Sequence, residues 1–247
     1  MAVFSMYKYR LEHHNKIAGI LDSIDADFVE DAECYFAGGT AIVMLLDEYR
    51  ESIDIDFLCS SREGYSKLRS TVTNDSFGQV FKQPVNYGSD VRANQYGIRS
   101  VVLADDTRIR MEFVSEGRLD LAFGGRIHNI PTLSQEDFFA TKLLANADRG
   151  RDRSTQFKDM IDIAMMISAW GDIPQVSWDK ARAAYGQSID KEYNAVIDMM
   201  NSNKLHFDRC MGLLHISEEN TDKIISALNL SFPENDYESD FMTDFSR

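Results

Sequence analysis

Apolar positions along the chain change their period near Pro131. Before it, short alternating runs are separated by turns; after it, the spacing is helical almost to the end. Met6, Tyr9, Ile17, Ile20 and Leu21 form a stripe that predicts a helix over 5–23. A short strand over 34–37 is expected to run into Gly38-Gly39. Residues 40–49 then read as a helix apolar nearly all round, and therefore buried. Period-two alternation predicts strands over 53–58, 97–104 and 107–114, the last two joined by Asp105-Asp106 as a two-residue hairpin turn. Beyond Pro131, Ser134-Gln135-Glu136-Asp137 has the form of a capping box opening a helix through Ala147. Phe157, Met160, Ile161, Ala164 and Ile167 share one face of a helix over 154–169. Further helices are expected near 178–186, 189–201, 204–215 and 217–228. The pattern predicts an α+β domain over 1–131 and a helical domain over 132–247, with an acidic tail that frays after Pro233.

Composition narrows the class. Apolar residues are 44% and charged residues 27% of the 247, an ordinary globular mixture. A chain of this size buries roughly 70–75% of its extended surface and needs no disulfide staples. No run approaches the roughly 18 apolar residues of a membrane span. Lys8, Arg10, Glu12 and Lys16 interrupt the apolar core a signal peptide would need. Cys34, Cys59 and Cys210 are odd in number and scattered, so they are expected to be reduced thiols of a cytoplasmic protein. The five histidines lack zinc-binding spacing. A net charge of −14 argues against a broad basic surface that coats DNA, while leaving room for a local basic cleft.

The most specific chemistry lies in Gly38-Gly39-Thr40 followed by Asp54-Ile55-Asp56-Phe57. Carboxylates at i and i+2 on a strand share a face, about 6–7 Å apart. That spacing lets both reach one divalent cation, or one each of a pair. A Gly-Gly at a strand-to-helix turn lets the backbone approach a phosphate, with helix N-terminal N–H groups aimed at it. Triphosphate chemistry needs both parts: cations to neutralise charge and donors to hold the leaving group.

This arrangement resembles the polymerase-β-type nucleotidyltransferase superfamily. The fuller stretches Phe36-Ala37-Gly38-Gly39-Thr40-Ala41 and Arg50-Glu51-Ser52-Ile53-Asp54-Ile55-Asp56-Phe57 are similar to the AbiEii/AbiGii toxin family. So are Ala140-Thr141-Lys142-Leu143-Leu144-Ala145 and Lys158-Asp159-Met160-Ile161-Asp162, which extend the resemblance over about 33–165. It implies a nucleotidyltransferase domain with a mixed or antiparallel sheet, followed by a helical bundle that closes the cleft. It further implies transfer of a nucleoside monophosphate from an NTP, with Mg²⁺ held by Asp54, Asp56 and Glu112. Gly38, Gly39, Thr40, Ser52, Lys142 and Arg149 would bind the nucleotide, and Lys142, Asp159 and Asp162 would complete the catalytic set. The protein would be the toxin of a toxin–antitoxin or phage-defence pair, with a cognate antitoxin and with tRNA as one acceptor. An antibiotic-type small-molecule nucleotidyltransferase and a catalytically silent nucleotide-binding module are the alternatives.

Several of these residues also have plainer readings. Glu112 is expected opposite Arg99 across the hairpin and could simply pair with it. Lys142, at the edge of an apolar stripe, could snorkel to water. Arg149, Arg151 and Arg153 lie in a segment, 142–158, with five basic and two acidic residues. They could serve a phosphate or only a helix dipole. Asp159 and Asp162 could lie on a solvated face, with Lys158 and Asp162 as an i,i+4 pair.

Overall fold

A computed structural model describes residues 9–232. It is a mixed α+β structure whose seven strands form one sheet: β1 (Cys34–Ala37), β2 (Ile55–Cys59), β3 (Arg92–Ala93), β4 (Gly97–Ala104), β5 (Thr107–Ser115), β6 (Phe123–Ile127) and β7 (Ile130–Leu133), in the order β3-β4-β5-β2-β1-β7-β6. The contacts of β2 with β5 and of β1 with β7 are parallel and the rest antiparallel, so the sheet is mixed. Helices α1 (Glu12–Ser23), α2 (Ala26–Asp31), α3 (Gly38–Leu45) and α4 (Arg62–Thr71) are interleaved with the first strands. Helices α5 (Gln135–Arg149), α6 (Lys158–Trp170), α7 (Gln175–Tyr185), α8 (Ser188–Ser202), α9 (Lys204–Leu213) and α10 (Glu218–Ala227) follow the last.

Two adjacent rows across the sheet position everything else. Phe36, Phe57, Phe113 and Ile98 stand in register on β1, β2, β5 and β4. All four are fully buried, and the Phe57 and Phe113 rings stack with centroids 4.6 Å apart. One residue away along each strand lies a second row, Ala37, Asp56, Glu112 and Arg99. Successive side chains on a strand point to opposite faces, so burying the aromatic row turns the polar row to the other side. The hydrophobic effect thereby sets the direction of the carboxylates.

Most expected elements form near their predicted bounds. Ser134 caps α5 by accepting from the Asp137 N–H at 3.2 Å, and the β4–β5 hairpin turns at Asp105-Asp106 with Arg99 opposite Glu112. The helix expected over 5–23 begins only at Glu12, after Leu11 in extended conformation; residues 5–8 and the fraying expected after Pro233 lie outside the described residues. The helix expected over 40–49 ends at Leu45, because Asp47 and Glu48 take positive φ (64° and 53°). The helix expected from 154 begins at Lys158, after Gln156 and Phe157 at φ 55° and 58°. Helices α2 and α4 and the β6–β7 hairpin were not anticipated. Helix α4 is mostly polar, burying only Gly64, Tyr65 and Leu68, so its stripe is too thin to read.

The cysteine expectation is corrected. Cys34 and Cys59 are directly opposite across β1 and β2, with Cα atoms 4.4 Å apart, and are joined by a disulfide, whereas Cys210 is free and buried. The pairing joins residues 25 apart whose proximity is created by strand register, so no local spacing announces it. The inference of a cytoplasmic location from reduced thiols loses its basis here. No described helix is long and apolar enough to cross a membrane. Alkylation of unfolded, unreduced protein should label one thiol by intact mass, rising to three after reduction. Three labels without reductant would refute the disulfide.

Candidate active site

Strand β1 ends in Ala37, and the chain turns at once into α3 with Gly38 at φ 71°. A Cβ on Gly38 would lie 2.7 Å from the Asp56 carboxylate, and one on Gly39 would lie 2.5 Å from the Arg50 guanidinium. Glycine is thus required twice, once for its dihedral and in both cases for close approach. No side chain caps the N-terminus of α3, so its first N–H groups remain available beside Asp56. Thr40 is buried and donates to the Ser52 hydroxyl at 2.8 Å, tying the start of α3 to the segment before the carboxylates. Buried His14 braces the same segment. One ring nitrogen lies 2.7 Å from Glu48 and the other within 3.2 Å of the Ser52 backbone. Burial works to raise the Glu48 pKa, but N–H donors from Leu11 and Arg10, with His14, hold it below its usual value.

The carboxylates face a cleft of about 440 Å³, lined by Asp54 and Asp56 on one side and Lys142, Arg149, Lys158 and Asp159 on another. Asp54 immediately precedes β2, and Asp56 is its second residue. Burial and the neighbouring Asp54 charge push the Asp56 carboxyl up to about 6, with Glu112 adding to the effect and Arg110 opposing it. Glu112 is the register partner of Asp56 but does not itself line the cleft. It faces Arg99 at 3.8 Å and Arg110 at 4.0 Å, and Arg110 also lies 3.6 Å from Asp54. Among the described residues no three His, Cys, Asp or Glu side chains are drawn together closely enough to hold a metal ion. The donor set nevertheless suits a hard cation: it is all carboxylate oxygen, and burial together with the neighbouring Asp54 charge raises Asp56.

The wall opposite is a buried ion network. Lys142 donates to Asp159 at 2.9 Å and contacts Asp162 at 2.7 Å. Arg50 holds both Asp162 oxygens at 2.8 Å, and the Tyr49 hydroxyl donates to Asp162 at 2.5 Å. Arg149 grips Asp159 at 2.7 and 3.0 Å. The solvated-face and snorkelling readings are therefore overturned: Asp159 is 2%, Asp162 0% and Lys142 6% exposed. Burial favours the neutral forms, but Lys142 and Arg149 hold Asp159 well below the carboxylate range. Arg50 and Lys142 do the same for Asp162, and the two aspartates keep Lys142 above its usual value. Three cations against two carboxylates leave one positive charge in excess, facing the cleft.

The site residues divide accordingly. Gly39, Ser52, Asp54, Asp56, Lys142, Arg149 and Asp159 line one cleft; Gly38, Thr40, Glu112 and Asp162 lie behind or beside it. Asp162 contacts Arg50 and Lys142. The arginine patch splits, with Arg149 in the cleft and Arg151 paired to Glu192 on α8. Tyr49 and Arg50 received no role from sequence, because a charged residue reads as exposed until its partner is known, and this partner is 112 positions away. Leu213, Leu214 and His215, which also line the cleft, carry no local signal at all.

The network carries a stability prediction. Asp162→Asn keeps the shape but leaves Arg50 and Lys142 short of a charge, at a cost of about 3–5 kcal/mol at neutral pH. Carboxyls held down in the folded state contribute stability that is fully present above about pH 4 and is lost as pH falls below it. Urea unfolding from pH 2.5 to 7 should show a shallower acid limb in the variant. Parallel curves would mean that the network does not govern acid stability.

No curated protein gives a significant match. The crystal structure of JHP933 from Helicobacter pylori is similar at 15% identity and a TM-score of 0.36, covering 90% of this chain and 100% of that one. A candidate nucleotidyltransferase from Helicobacter pylori is similar at 11% identity and a TM-score of 0.31, covering 76% and 96%. The described family of nucleotidyl transferase AbiEii toxins of type IV toxin–antitoxin systems matches residues 20–242, nearly the whole chain. The chain belongs to the AbiEii nucleotidyl transferase toxin family, and is a nucleotidyltransferase.

Proposed function

We propose that the protein transfers a nucleoside monophosphate from an NTP to an acceptor hydroxyl in a Mg²⁺-dependent reaction, and that it does so as the toxin restrained by a cognate antitoxin. The observation that carries this reading is the cleft itself. Two carboxylates at its floor, one pushed up to about 6 by burial and its neighbour's charge, face a wall with positive charge in excess.

Asp54 and Asp56 would hold the metal, with Glu112 swinging from Arg99 and Arg110 to join them. When bound, Mg²⁺ would supply charge neutralisation at the attacked phosphate. Gly38 and Gly39 would admit the triphosphate to the uncapped end of α3, beside the Thr40–Ser52 pair. Lys142, Arg149 and Lys158 would neutralise it from the other wall. Lys142 and Arg149 are already fixed by Asp159 and Asp162, so they lose little freedom on binding, which favours stabilising charge that develops in the transition state. Glu112, the register partner of Asp56, would accept the acceptor's proton. An antibiotic-type acceptor remains the second reading, favoured by no separate observation.

The test is label transfer from each NTP with Mg²⁺ into RNA, protein and small-molecule fractions of a cell extract. Asp56→Asn should abolish it, and Glu112→Gln should lower it by about 10²-fold or more. Absence of Asp56-dependent transfer with every NTP would leave nucleotide binding alone.

The same variant separates function from stability. A carboxyl raised in the folded state costs stability as pH climbs from about 4 to 6, since the folded chain holds its proton over that range and the unfolded chain does not. In EDTA, Asp56→Asn should melt above wild type at pH 7, and the gap should close below pH 4. A variant less stable than wild type at pH 7 would show that Asp56 instead supports the fold.

A further inference from the structure

In the proposed function the charged groups of the cleft hold the metal and the phosphates. That leaves its apolar side chains, Ile53, Leu213 and Leu214, without a part. Ile53 is 53% and Leu213 54% exposed, among the few large apolar side chains of the described residues left open to solvent. A cleft that bound phosphate alone would give no reason to keep them so.

Ile53 departs from the pattern its own sequence sets. Alternation with Ile55 and Phe57 would turn it into the core, where both of those are fully buried. The strand instead begins at Ile55, and Ile53 lines the cleft beside Asp54. It is held there on two sides. Its carbonyl accepts from the His13 ring at 3.1 Å, and the Ser52 backbone nitrogen before it lies 3.2 Å from the buried His14 ring.

Leu213 ends α9, and the chain leaves that helix through a tight turn closed by two bonds. The Ile216 N–H donates to the Met211 carbonyl at 3.0 Å, and the His215 N–H to the Gly212 carbonyl at 3.2 Å. Met211, Leu214 and Ile216 are buried and anchor the turn, which leaves Leu213 and His215 exposed. His215 takes the left-handed position of this motif, at φ 53°, where glycine is the usual residue. An imidazole is thus kept on the cleft against the preference of its backbone. Gln156, at φ 55°, is a second such residue on the same cleft. The neighbouring Phe157 ring packs on His206 of α9 with centroids 5.3 Å apart, tying the Gln156 segment to that helix.

The chain itself joins this part of the cleft to the phosphate wall. Gln156 is three residues from Asp159, the carboxylate that fixes Lys142 and Arg149. A nucleobase matches the chemistry offered. Its flat faces suit the Ile53 and Leu213 side chains, and its edge carries donors and acceptors together. The Gln156 amide and a neutral His215 ring each present both kinds of group.

We infer that Ile53 and Leu213 form the subsite for the base of the incoming NTP, and that Gln156 and His215 read its edge and so set the nucleotide preference. This rests on the nucleotidyltransferase reading above and names the residues that select its donor.

The test measures binding of ATP, GTP, CTP, UTP and inorganic tripolyphosphate, each with Mg²⁺, to the full chain and to Leu213→Ser and His215→Gly. Both positions are exposed, and glycine adopts φ 53° freely, so His215→Gly should melt at or above wild type. Wild type should bind its preferred NTP more tightly than tripolyphosphate. Leu213→Ser should weaken that NTP about tenfold and leave tripolyphosphate unchanged. His215→Gly should narrow the spread of affinities among the four NTPs, again without moving tripolyphosphate. NTP affinities equal in wild type and both variants would overturn the inference. So would a parallel loss of tripolyphosphate, which would make the turn only a support for the basic wall. An oligoribonucleotide bound more weakly by Leu213→Ser while NTP affinity holds would assign these residues to the acceptor instead. Wild type binding every NTP no better than tripolyphosphate would overturn the subsite alone, whereas wild type binding no NTP at all would sink the proposed function with it.

Discussion

The lateral register of four strands is the constraint on which the rest of the molecule depends. Phe36, Phe57, Phe113 and Ile98 align because stacking and burial fix them in one row on the core face. With a side-chain period of two, a slip of one residue would place Asp56 in the core and Phe57 in the cleft, at a cost no local interaction could offset. The same register sets Cys34 against Cys59, Asp56 against Glu112 and Arg99 against Arg92. The disulfide, the carboxylate pair and the Arg99–Arg92 pairing are three consequences of one alignment.

The two walls of the cleft follow opposite electrostatic logic. On the sheet side, burial and the crowding of like charges make Asp56 hold its proton at higher pH than an ordinary carboxyl. On the helical side, Asp159 and Asp162 are each held by two cations at 2.7–3.0 Å. Matching buried charges adds little net stability compared with an apolar core, but it leaves very few geometries open to Lys142 and Arg149. In the proposed function the first wall would receive a cation and the second an anion, and a metal-bound triphosphate would supply both together.

Asp159 and Asp162 show how far a solvated-face argument can mislead. At i and i+3 beside Lys158 they look like an exposed helical stripe. They are instead the inward face of α6, held by cations from α5 and from the segment after α3. The hydrophobic stripe of α6 is correspondingly wider than it looks, with eight consecutive residues, Asp159–Met166, buried.

What the sequence by itself determined is local or short in range. Period-two runs marked β2, β4 and β5, the hairpin turn set Arg99 opposite Glu112, Ser134 marked the start of α5, and Gly38-Gly39 with Asp54 and Asp56 marked the candidate site. Each rests on a dihedral preference, a strand period or a cap that a few neighbouring residues suffice to express. Only the tertiary structure decided the Cys34–Cys59 disulfide, the burial of Lys142 between two aspartates, the role of Arg50, the place of Leu213–His215 in the cleft and the continuation of the polar row to Arg92. Those features join residues far apart in sequence. A buried charge is tolerable only once its partner has arrived, and a register row exists only once the strands have paired.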